Sequence, residues 1–128
     1  MAQVHASIEK NKYKTTIQTE GLTFFADEPL ELGGTNLGPT PKDLLAGALA
    51  ACTTITLRMY ADRKEWPLED IKVDVKIDTE TKPGTTLILK KIELVGDLDD
   101  KTRERLLNIA EKCPVNKLLL QPIEIIKE

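Results

Sequence analysis

Thr40-Pro41-Lys42-Asp43-Leu44-Leu45-Ala46-Gly47-Ala48-Leu49-Ala50-Ala51-Cys52-Thr53-Thr54-Ile55-Thr56-Leu57 is the stretch on which the fold turns. It opens as a helix start. Thr40 suits the N-cap, Pro41 the first helical position, and Asp43 the place from which a capping-box acid reaches back. The helix is predicted to run to about Lys64 and to stop before Trp66-Pro67. From Leu44 to Leu57 it holds no charge, and Thr53, Thr54 and Thr56 are its only polar relief. A helix apolar all round is buried all round. Gly47, Ala48, Ala50 and Ala51 leave room for another backbone to come close. A chain of 128 residues struggles to surround such a helix unaided, so an obligate dimer with both long helices at its centre is expected.

On the N-terminal side, Val4, Ala6 and Ile8 alternate with polar residues, as do Tyr13, Thr15, Ile17 and Thr19, and Gly21 breaks the period before Leu22–Ala26. A three-stranded meander is predicted there. Asp27–Pro41 is a loop rich in Gly and Pro, long enough to suggest a functional or interfacial role. Beyond the helix, Ile71, Val73, Val75 and Ile77 alternate as one strand, and Leu87, Leu89, Ile92 and Leu94 as another whose phase slips at Lys90-Lys91. A bulge is predicted at the slip. A second helix is expected over about Lys101–Cys113, capped by Asp99 or Asp100 and ended by Pro114, then a short strand at Ile123–Ile126. The class is α+β, in a single domain over 1–128.

Composition narrows the function. Hydrophobic residues make up 41% of the chain and aromatic ones only 4%, so the core must come from Leu, Ile, Val and Ala. Net charge is −3 with signs interspersed, which speaks against nucleic acid or an anionic membrane as partner. The apolar run Leu44–Leu57 is shorter than the ~18 residues of a membrane span, and no export signal is apparent at the N-terminus. A cytoplasmic location is expected. His5 alone completes no metal site, Cys52 and Cys113 fit no zinc spacing, and no cofactor is implied. The chemistry on offer is that of sulfur.

The two cysteines are expected as thiols rather than a structural bridge. Cys113, read as the end of a helix, meets a negative dipole that opposes its ionisation. Cys52 lies about 16 Å into the long helix at ~1.5 Å per residue, beyond reach of its N-terminal dipole. An active Cys52 therefore needs a cation from elsewhere. Ordinary buried thiols remain the simpler alternative.

Gly33-Gly34-Thr35-Asn36-Leu37-Gly38-Pro39-Thr40-Pro41, Asp43-Leu44-Leu45, Ala48-Leu49-Ala50-Ala51-Cys52 and the distant Cys113-Pro114-Val115 together resemble the OsmC/Ohr family of organic-hydroperoxide reductases. The resemblance implies an OsmC-like α+β fold: antiparallel sheet, long buried central helix, shorter second helix, intertwined homodimer. It implies a thiol-dependent peroxidase acting in oxidative stress defence. Cys52 would be peroxidatic and Cys113 resolving, with an organic hydroperoxide as substrate and a dithiol as reductant.

Two departures follow from the same comparison. The family's peroxidases hold the thiolate with an arginine near the N-terminus, paired to a glutamate ten positions before the cysteine. Here the first arginine is Arg58, and the glutamate position is Lys42, with Asp43 beside it. Asp43 is a candidate substitute and Lys42 a candidate charge, although Asp43 suits the helix cap and Lys42 a solvated surface equally well. Lys12 and Lys14 are further candidate cations, more simply read as strand-surface charges. Asn116 stands where many relatives carry histidine. Without the arginine, a slow peroxidase at neutral pH is expected. The alternative is a non-catalytic OsmC-like protein that binds a small apolar molecule, or senses oxidants, at the dimer cleft.

Overall fold

The computed structural model describes residues 1–128, which divide into two compact units, Met1–Leu45 and Ala46–Glu128. In the first, β1 (His5–Ser7), β2 (Thr15–Thr19) and β3 (Leu22–Ala26) form the expected antiparallel meander in the order β1-β2-β3. Thr19 pairs with Leu22, and the two-residue turn between them is closed by Gly21 at φ 87°. That left-handed angle is open to glycine at no steric cost.

After β3 the chain enters a loop organised by one buried carboxylate. Asp27 Oδ1 accepts the backbone N–H groups of Tyr13 (3.2 Å), Glu28 (2.7 Å) and Thr35 (3.3 Å). Its Oδ2 accepts the Leu37 N–H at 3.1 Å and the Thr35 hydroxyl. The loop folds so tightly here that a Cβ on Gly34 would collide with the Glu28 carbonyl. The Thr35 hydroxyl first, then the backbone donors, hold the Asp27 carboxyl well below the ordinary carboxylate range against the opposing effect of burial.

The long helix α1 spans Pro41–Lys64, as the sequence predicts. Its start is a reciprocal capping box: Thr40 Oγ1 accepts the Asp43 N–H at 3.1 Å, and Asp43 Oδ2 accepts the Thr40 N–H at 3.2 Å. Within one chain α1 buries a single stripe, Leu49, Thr53, Leu57 and Ala61. Leu45, Ile55 and Met59 stay 45%, 53% and 62% exposed. By length and composition α1 is also apolar enough to cross a membrane, a signature it shares with a core helix covered on every side.

In the second unit, β4 (Leu68–Asp78) and β5 (Leu87–Gly96) pair antiparallel. Helix α2 (Asp100–Ala110) follows, with Asp99 as N-cap accepting the Thr102 N–H at 2.7 Å. Leu57, Ala61, Leu68, Leu94, Leu106, Ile109 and Ala110 make the core. The Arg103 guanidinium secures the end of β5 by donating to Leu94 O at 2.6 Å and Gly96 O at 2.8 Å.

Three expectations are corrected. Pairing runs unbroken through Val75–Lys90 and Asp74–Lys91, and the irregularity lies instead between Leu68 and Asp70. The alternation is thus continuous as Ile88, Lys90, Ile92 and Leu94, with the exposed Leu89 on the other face. The second helix ends at Ala110, and Pro114 opens a third, α3 (Pro114–Leu119), rather than only closing the second. Proline suits both places, since it lacks the N–H that a first turn leaves unused. Ile123–Ile126 forms no strand and is exposed, because no backbone in the chain takes up its ladder bonds.

Candidate active site

Four elements of the second unit converge on sulfur. Helix α1 brings Cys52 and Thr53, β5 brings Lys90, the α2–α3 junction brings Cys113, and α3 brings Asn116. Both cysteines are free, Cys52 half-buried and Cys113 fully buried. Thr53 lies on the buried stripe of α1. Its hydroxyl donates to Leu49 O at 2.8 Å and sits 3.8 Å from Cys113 Sγ.

The position of Cys113 corrects the expectation drawn from its place after a helix. It is extended (φ −62°, ψ 141°) and N-caps α3, with Sγ accepting the Asn116 backbone N–H at 3.3 Å. A donor faces the sulfur where a negative helix end was expected. Burial pushes the Cys113 thiol up. The Asn116 N–H first, then the Cys52 side chain and the Lys90 charge, outweigh it and bring the thiol below its ordinary value.

Lys90 is the residue that sequence reasoning missed. Its Nζ donates to Thr53 Oγ1, Ala110 O and Asn116 Oδ1, each at 3.3 Å. The signal was present in the alternation of β5, which places Lys90 in series with Ile88, Ile92 and Leu94. Reading the slip as a bulge hid it. Asn116, unassigned from sequence, links the parts: its N–H goes to Cys113, its Oδ1 receives Lys90, and its Nδ2 donates to Glu111 O at 3.1 Å. Lys90 and Asn116 also line an open cleft of about 680 Å³, with Thr86 and Glu111 among its polar residues and Leu49, Ile88, Leu119 and Leu120 among its apolar ones.

The other candidates have other engagements. Asp43 serves the capping box, and Lys42 is exposed. Lys14 Nζ lies 4.1 Å over the Phe25 ring, while Lys12 is exposed. Arg58 donates to Leu68 O at 2.7 Å and pairs with Asp62 at 3.3 Å on the same helix. Tyr60 and Trp66 pack as tilted rings 5.5 Å apart. No three His, Cys, Asp or Glu side chains converge as a metal site would require.

Chemically, the arrangement offers one reachable thiol beside one buried thiol whose ionisation is made easier than that of a free thiol. Such a pair can pass between dithiol and disulfide.

Known proteins give the arrangement a context. No curated protein matches the chain. Among solved structures it is similar to an OsmC-like protein from Mycoplasma pneumoniae, with a TM-score of 0.77 and 19% identity, covering 93% of this chain and 86% of that one. It is similar also to the organic hydroperoxide resistance protein OsmC from Legionella pneumophila, with a TM-score of 0.68 and 24% identity over 94% and 89% of the two chains. A third is the organic hydroperoxide resistance protein OhrB of Bacillus subtilis, with a TM-score of 0.62 and 25% identity over 94% and 90%. Residues 34–127 match the family model described as OsmC-like protein, and with that span covering most of its length the chain belongs to the OsmC family.

Proposed function

We propose that the protein is a thiol peroxidase that reduces organic hydroperoxides as a homodimer, with Cys52 peroxidatic and Cys113 resolving. The observation that carries this reading is the meeting of two free thiols 61 residues apart in sequence, the first reachable and the second buried. The Cys52 sulfur attacks the outer peroxide oxygen, the O–O bond breaks, and the alcohol leaves. Cys52 is then a sulfenic acid, which Cys113 displaces to form a disulfide and water. A dithiol reductant returns the pair by exchange. Hydroperoxide resistance in the names of the similar Legionella and Bacillus proteins supports the substrate class. The uncovered Leu45, Ile55 and Met59 of α1 support the dimer, since a second chain would cover them.

The test is consumption of an alkyl hydroperoxide in the presence of a dithiol. Cys52→Ser abolishes it, and Cys113→Ser halts turnover after one slow oxidation, leaving a sulfenic acid that a dimedone-type probe captures on long exposure to peroxide. Equal loss from both without any sulfenic species would refute the assignment.

The apolar residues lining the cleft favour one second reading, a binder of small apolar molecules without turnover. Saturable binding of a fatty-acid-sized probe with no hydroperoxide consumption would select it.

A further inference from the structure

Lys90 presents an unusual balance of charge. It is half-buried on the inward face of β5, and its three ammonium protons meet three acceptors, Thr53 Oγ1, Ala110 O and Asn116 Oδ1. All three acceptors are neutral. The chain's one ion pair is Arg58–Asp62, so no carboxylate compensates Lys90, and Glu111 at the same cleft is not paired with it. A partly buried cation without a counter-ion is costly. Two of its three acceptors, Thr53 and Asn116, are also the groups that touch Cys113 Sγ. Those two acceptors thus connect Lys90 to an ionisable thiol.

Resting on the peroxidase reading, we propose that Lys90 is the resident counter-charge of the dithiol, so that the reduced pair carries its negative charge on Cys113 and its proton on Cys52. Lys90 then replaces the missing N-terminal arginine from another direction. It acts through the buried sulfur and not through the attacking one, which makes it a positioning residue.

The charge placement gives each sulfur a defined part. As hydroperoxide approaches Cys52, the Cys113 thiolate takes the Cys52 proton, and the Cys52 sulfur attacks the outer oxygen. The O–O bond breaks, an alkoxide leaves, and Cys113 returns the proton to it as the alcohol. Cys113 is again a thiolate. It attacks the Cys52 sulfenic sulfur, the S–O bond breaks, and hydroxide leaves to become water with one proton from solvent. The peroxide is reduced by two electrons and the two thiols are oxidised to one disulfide.

The groups facing Cys113 are Cys52 and Thr53 from α1, Lys90 from β5 and Asn116 from α3. Among charged side chains, only Lys90 acts on its ionisation. The experiment is a pH titration of thiolate ultraviolet absorbance on the reduced protein, which needs neither peroxide nor access to the buried sulfur. One thiol ionises at lower pH than the other; Cys113→Ser removes that step and Cys52→Ser keeps it. Lys90→Gln removes the charge while keeping a side-chain donor, and moves the step up by about one pH unit, a tenfold loss of thiolate at a fixed pH below it. Lys90→Arg retains the low step. A low step that survives Cys113→Ser, or one that Lys90→Gln leaves in place, overturns the proposal. Lys90→Met, of similar length and without charge, serves as the second variant should Lys90→Gln fail to fold. A protein that titrates as stated yet consumes no hydroperoxide would sink the peroxidase reading and leave this charge assignment standing.

Discussion

Asp27 and Lys90 are each a charge placed among neutral partners, and they differ in what else is present. Asp27 is an anion in the first unit with five donors, four of them backbone N–H groups. Every donor points to its charged form, and each is a backbone N–H or a hydroxyl that does not itself titrate. Such a carboxylate is a structural pin for the Thr35–Leu37 turn. Lys90 is a cation in the second unit with three neutral acceptors, but two of them lead to a sulfur that can ionise. The same electrostatic arrangement is inert in one place and chemical in the other, and the difference is one titratable neighbour.

The contrast breaks most visibly at Asp27. Replacing it, as Asp27→Ala, leaves five part-buried donors without their shared acceptor, and a loss of roughly 10 °C in Tm is expected by thermal melting followed by circular dichroism. A change of under a few degrees would mean that water serves the loop equally well. The pH dependence has a defined sign. Because the folded carboxyl is held below its ordinary value, the stability it lends is complete above the unfolded pKa of ~3.9 and is lost as pH falls from there toward the folded value. Denaturant midpoints measured across acid pH should fall in wild type and flatten in Asp27→Ala.

At the other pole, Lys90→Gln should slow hydroperoxide consumption about tenfold at neutral pH, with the deficit closing as pH rises through the shifted thiol pKa. Stopped-flow loss of an alkyl hydroperoxide measures this. An equal deficit at every pH would point to displaced geometry rather than lost charge.

Thr53→Val sharpens the comparison by removing one shared link while keeping shape. A destabilisation of ~1–2 kcal/mol is expected from denaturant melts, since Lys90 and the Leu49 carbonyl each lose a partner. The smallest effect is on alkaline stability. A Cys113 thiol lowered in the fold adds stability fully present above its unfolded pKa of ~8.5 and lost as pH falls through the folded value. Stability of the reduced protein should thus rise slightly with alkaline pH in wild type, and less in Lys90→Gln.

Local chemistry made most of the elements legible. The capping pair Thr40 and Asp43, the period-two runs of β2 and β4, and the glycine-rich loop before α1 each depend on residues near one another in the chain, and each was found where its pattern lay. The two cysteines could likewise be singled out, because sulfur is rare here and each stands in a distinctive neighbourhood of sequence. The orientation of the site was not legible. Whether Pro114 only ends one helix or also begins another depends on what α3 packs against, and with it depends whether Cys113 meets a carbonyl end or an N–H. Lys90 stands 37 residues from Thr53, 26 from Asn116 and 20 from Ala110. Periodicity assigned it a face only once the strand register was known. The sequence by itself thus determined the elements and the reactive atoms, because propensity, capping and composition act over a few residues. The tertiary structure alone decided which charge faces which sulfur, because electrostatics acts through space between groups that the chain keeps far apart.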